Sequence, residues 1–123
     1  MNDNPYLIDT NILIYALYGS EFIKQYVLSS PFISFVTEIE ILGQINIEDA
    51  ELQTRQLALD YCTIIPFSNL IKKRTIILKQ LYQIKLPDAI IAATAIIEGY
   101  TLISADRGFR KINELSLILL KVI

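Results

Sequence analysis

Short apolar runs alternate with helical stretches along this chain, and no tight turn joins one apolar run directly to the next before the C-terminal end. That pattern constrains the fold more than any other feature. Strands joined by two-residue hairpins lie antiparallel, whereas strands separated by helices must cross over and lie parallel. The expected fold class is therefore α/β: a mainly parallel sheet of about five strands with helices on both faces. The expected strands are residues 6–8, 32–36, 63–67, 100–104 and 115–123, with Pro66 marking the third as an edge strand.

Helices fill the gaps. Ile12, Leu13, Ala16 and Leu17 follow helical spacing after Asp9-Thr10-Asn11, and Gly19-Ser20 closes that helix. A short helix is expected to start at Thr37 and stop at Gly43 or Asn46. Residues 48–61 read as an amphipathic helix with Arg55 and Gln56 on its polar side. Residues 68–82 form another, and residues 87–98 an apolar one opened by Pro87 and capped by Gly99.

The 123 residues suit a single domain, 1–123, and 53% hydrophobic against 20% charged residues is enough to build a core. The apolar surplus hints at a face covered by a partner, such as a second copy. No run of eighteen apolar residues exists, so no membrane span is expected. The start MNDNPY lacks the basic and apolar regions of a secretory signal. Cys62 is the only cysteine, which excludes an intrachain disulfide and fits a reducing, cytoplasmic setting. There is no histidine, which removes Ser–His and Cys–His catalysis and imidazole-based zinc sites.

Charge is unevenly spread. Residues 1–54 hold eight acids and one base, whereas residues 55–123 hold five acids and ten bases. Lys72, Lys73, Arg74, Lys79 and Lys85 crowd into one stretch. A solvated helix face explains such a cluster; so does a track for a polyanion, to which Arg107 would add.

Acids follow the expected strands: Asp9 after the first, Glu38 and Glu40 after the second, Asp106 after the fourth. Asp88 opens the apolar helix. Singly, each has a structural explanation. Asp9, Asp88 and Asp106 suit helix N-termini, and Thr37 with Glu40 fits a capping box. In a parallel sheet, however, all of them gather at the carboxyl edge, where open α/β sheets bind their ligands. Converging carboxylates repel unless a cation joins them. An all-oxygen site suits Mg²⁺ or Mn²⁺, the usual apparatus of phosphoryl chemistry. The constellation points to a nuclease, with a small phosphatase as the other hydrolase it would fit.

The stretches LIDTNILIY, FISFVTEIEILG, KLPDAIIAATAI and LISADRGF also resemble, in order and spacing, the PIN domains. Among these they most resemble toxin ribonucleases of toxin–antitoxin pairs, the virulence-associated-protein-C type. The resemblance covers nearly the whole chain and implies a PIN-like three-layer sandwich. It further implies that Asp9, Glu40, Asp88 and Asp106 hold one or two Mg²⁺ or Mn²⁺ ions for hydrolysis of RNA, with Asn11 and Ser104 in support. Thr10 lies in the same motif. An RNA substrate, a cognate antitoxin and a homodimer are the implied partners. Glu38 and Glu40 point about 200° apart on a helix, so one of them faces the crevice; the motif match selects Glu40.

Two other readings fit parts of this pattern. A haloacid-dehalogenase-like phosphatase also begins with a strand and an aspartate, but its second acid, two residues on, is Asn11 here. A catalytically silent RNA-binding or interaction module would keep the fold without the chemistry.

Overall fold

Successive residues of a strand point to opposite faces of its sheet, and in this chain both faces are apolar. In the computed structural model, which describes residues 5–19, 21–27 and 29–121, Leu7 and Leu102 enter one core cluster while their neighbours Ile8 and Ile103 enter the other. The strands are β1 (Tyr6–Ile8), β2 (Phe32–Ser34), β3 (Thr63–Ile65), β4 (Thr101–Ser104) and β5 (Leu117–Leu119). They form one five-stranded sheet in the order β3-β2-β1-β4-β5, and every neighbouring pair is parallel.

The helices are α1 (Thr10–Leu17), α2 (Glu21–Val27), α3 (Phe35–Leu42), α4 (Asp49–Leu59), α5 (Asn69–Leu81) and α6 (Leu86–Glu98), with a 3-10 turn over Arg107–Lys111. Ile12, Leu13 and Ala16 of α1, Ile23 of α2, Ile41 of α3 and Leu59 of α4 pack on the face that receives Ile8. Ile71 and Leu78 of α5 and the small residues Ala92, Ala93 and Ala95 of α6 pack on the face that receives Leu7. Those alanines are fully buried, so the α6 backbone lies close against its neighbours. Gly99 ends α6 in the left-handed conformation, φ 73°, which a side chain with Cβ adopts poorly.

The strand–helix alternation is as expected, and five details differ. The second strand stops at Ser34, whose hydroxyl accepts from the Val36 N–H and starts α3 two residues earlier than expected. Thr37 therefore lies inside α3, buried, and the capping box with Glu40 does not form. Pro66 falls just beyond β3, which is the edge strand anticipated. Arg55 is buried rather than on a polar face. Finally, α2 was not anticipated; it is only seven residues long, too short for periodicity to stand out. The Ser20 part of the expected helix stop and the last two residues of the expected fifth strand lie outside the described residues.

The chain runs from β1 outward through β2 to β3, then returns to the other side of β1 for β4 and β5. Strand order reverses between β1 and β4, and a crevice opens beyond their carboxyl ends.

Candidate active site

Asp9 is the first residue after β1 and sits at that reversal. Its backbone N–H donates to the Ile103 carbonyl of β4 at 3.3 Å, so it continues the ladder by one step. The side chain is only 5% exposed. One carboxylate oxygen accepts from the Ile12 N–H at 2.9 Å and caps α1. The other accepts a close hydrogen bond from the hydroxyl of Ser104, the last residue of β4. Ser104 Oγ in turn accepts from the Asp106 N–H at 2.9 Å. One buried hydroxyl thus ties the first acid to the backbone of the last.

Asp106 caps the 3-10 turn through its own carboxylate, which accepts from the Gly108 N–H at 2.8 Å. Glu40 reaches the same edge from α3 and accepts from Thr10 Oγ1 at 2.6 Å. Thr10 Oγ1 lies 3.1 Å from Thr37 Oγ1, so the first turn of α1 is joined to α3 beside the acids. Helix α3 ends one turn later at Gly43, where an added Cβ would stand 2.5 Å from the Ile39 carbonyl oxygen. Asp88, half-buried, lies in the first turn of α6 behind Pro87.

These carboxylates act on one another. Burial pushes the Asp9 carboxyl up to about 6, and the negative charges of Asp88 and Asp106 push the same way. The Ser104 and Ile12 hydrogen bonds oppose the rise without cancelling it. Asp88 is raised as well, first by burial and then by the charges of Asp106 and Glu40, with Lys85 opposing. Glu40 is therefore the α3 acid whose charge reaches Asp88.

Among the described residues no three metal-binding side chains close into a ready ligand cage. The arrangement is an open, mutually repelling bowl of oxygens. That suits Mg²⁺, which keeps several waters and takes one or two carboxylates directly, and does not suit a metal held by protein ligands alone. Asp9 shows the fit best: a buried carboxylate whose two donors are both neutral.

A cavity of about 200 Å³ adjoins the bowl, lined by Asp88 and Asp106 together with Gln83, Lys85 and Lys111. Lys85 is the one member of the anticipated basic cluster that lines it. Lys72 and Lys73 are exposed on α5 and Arg74 is half-buried there. The Lys79 ammonium donates to the Ile84 carbonyl at 2.6 Å, and Arg107 is exposed beside Asp106. Asn11 is exposed, and the side-chain hydroxyls bonded to the acids are those of Thr10 and Ser104. Sequence reasoning missed Thr37 and Lys111. The Thr37 side chain could have been found by its i, i+3 spacing from Glu40; nothing in the sequence sets Lys111 apart from Arg110.

A family model described as PIN domain matches residues 6–115. Among solved structures, the chain is similar to one from a toxin–antitoxin complex of Klebsiella pneumoniae, 34% identical over 92% of this chain and 95% of that one, with a TM-score of 0.78. It has the same fold as a chain of VapBC2 from Rickettsia felis bound to a promoter DNA fragment, 22% identical over 94% and 98%, TM-score 0.82. VapBC-1 from nontypeable Haemophilus influenzae, 22% identical over 93% and 96%, gives a TM-score of 0.78. No curated protein sequence matches the chain.

Proposed function

Because the chain belongs to the PIN domain family, we propose that it is a Mg²⁺- or Mn²⁺-dependent endoribonuclease acting as the toxin of a toxin–antitoxin pair. The observation that carries the chemistry is Asp9: buried, pushed up to about 6, held only by neutral donors, and facing the charges of Asp88 and Asp106. A cation relieves all of these at once. When bound, it would polarise the phosphodiester and acidify a water for in-line attack.

The protein's own groups fix the geometry. Ser104 holds one Asp9 oxygen in place and steadies the turn that carries Asp106. Thr10 orients Glu40. Rigid placement matters because a carboxylate misplaced by an ångström loses most of its value in such a site.

The toxin reading rests on the 34% identical chain from a toxin–antitoxin complex. Large apolar side chains on two faces are consistent with protein partners. Leu57 and Tyr61 flank a groove of about 240 Å³ lined by α1, α2 and α4, and Phe67, Leu70, Ile76 and Leu86 are exposed around α5 and α6. An antitoxin and a second copy of the chain are the occupants that this function calls for. Among the described residues no helix is long and apolar enough to cross a membrane.

The test is cleavage of single-stranded RNA by purified protein with Mg²⁺ or Mn²⁺. Activity should vanish with EDTA and return with the metal, and Asp88→Asn should lower it at least a hundredfold without loss of fold. Equal cleavage by wild type and Asp88→Asn would defeat the assignment.

A further inference from the structure

Opposite charges that share a small cavity ordinarily close into ion pairs. In the cavity beside Asp88 and Asp106 they do not. Lys85 and Lys111 line it together with the acids, yet the ion pairs among the described residues are Lys24 with Glu21 and Arg55 with Glu51. Lys111 is instead turned onto the Gln83 backbone carbonyl at 2.7 Å. An ammonium has three donors, so two remain for another acceptor. The same short segment is also held by Lys79 on the Ile84 carbonyl. The rim carrying Gln83 and Lys85 is thus fixed at two successive carbonyls, and Lys85 and Lys111 line the cavity of about 200 Å³ without forming an ion pair with Asp88 or Asp106.

A group that fills that space must offer anionic oxygen to the lysines while tolerating carboxylates in the same lining. We propose that Lys85 and Lys111 form a subsite for an internal phosphodiester of the RNA strand, next to the one that is cut. This rests on the nuclease reading above and adds to it which bases hold the strand. The subsite lies at the rim of the acid bowl, so it sets the strand's position relative to Asp88 and Asp106. It also assigns the role to a pair from two separate segments, one of them outside the α5 cluster.

The experiment is binding of a labelled single-stranded oligouridine in EDTA, followed by fluorescence anisotropy across a salt series. Each lost phosphate contact lowers the slope of log affinity against log salt by about 0.7 for a single strand. Lys85→Gln and Lys111→Gln should each lower it by about that amount, and the double variant by about twice as much. Lys111→Arg should restore the slope, which a merely collapsed rim would not allow, and Lys24→Gln on α2 should leave it unchanged. The effect should be the same with and without a terminal phosphate on the oligonucleotide. An effect confined to the phosphorylated strand would overturn the internal assignment. Unchanged slopes in both glutamine variants, with wild type still binding, would overturn the subsite while leaving the nuclease reading intact. A wild type that neither binds nor cuts the strand would overturn both.

Discussion

Asp9 carries an instability that follows from its place. A carboxyl raised to about 6 by burial holds its proton more tightly folded than unfolded, where its value is near 3.9. Between those values the folded state binds more protons, so stability falls as pH rises from about 4 to 6 and stays lower above it. In metal-free protein, Asp9→Asn should therefore stabilise the fold at pH 7.5 by about 2–3 kcal/mol and do little at pH 3.5. Asparagine keeps the cap on α1. Urea unfolding at the two pH values checks this; equal effects at both would mean that burial does not strain the carboxylate. The position of Asp9 was legible in the sequence, since a charge between two apolar runs has few explanations. The Ser104 bond was not legible in the residues themselves, where only the family resemblance implied a supporting role, because residues 95 positions apart meet only through the register of β1 on β4.

Among the elements, the last turn of α3 is held by two neighbours. Thr10 meets Glu40 on the site side, and Arg55 of α4 donates to the Ile41 carbonyl at 2.9 Å and to Glu51 at 3.1 Å. Tyr18, the cap residue of α1, donates to the same Glu51 carboxylate. Replacing Arg55 by alanine leaves the Ile41 carbonyl without its buried donor, while Glu51 keeps the Tyr18 hydroxyl. It should cost about 2 kcal/mol in chemical denaturation, against less than 1 kcal/mol for Gln56→Ala on the exposed side. Comparable small losses for both would show that Arg55 is no clamp. Helix periodicity placed α4 correctly but put Arg55 on the wrong side, because a guanidinium is read as polar surface unless its buried acceptor is known. Likewise Thr37 with Glu40 mimicked a capping box; Ser34, two residues into the apolar run, was the true cap.

For the whole molecule, the parallel sheet explains why a chain with an acidic first part and a basic second part makes one site from both. Asp9 and Glu40 come from the first, Asp88 and Asp106 from the second, and the reversal between β1 and β4 brings them to one edge. Strand–helix alternation made that edge legible before any coordinates. The basic partners were only partly so: of the expected cluster only Lys85 lines the cavity, and it is joined there by Lys111, which lay outside that cluster. Linear charge density says where bases are made, and packing decides which of them are free. Whether the four acids share a divalent cation is decided by calorimetry of Mn²⁺ binding to the purified protein. Saturable binding is expected, lost in Asp9→Asn, with protons released when wild type is titrated near pH 6. No binding by wild type, or equal binding by the variant, would contradict a shared cation.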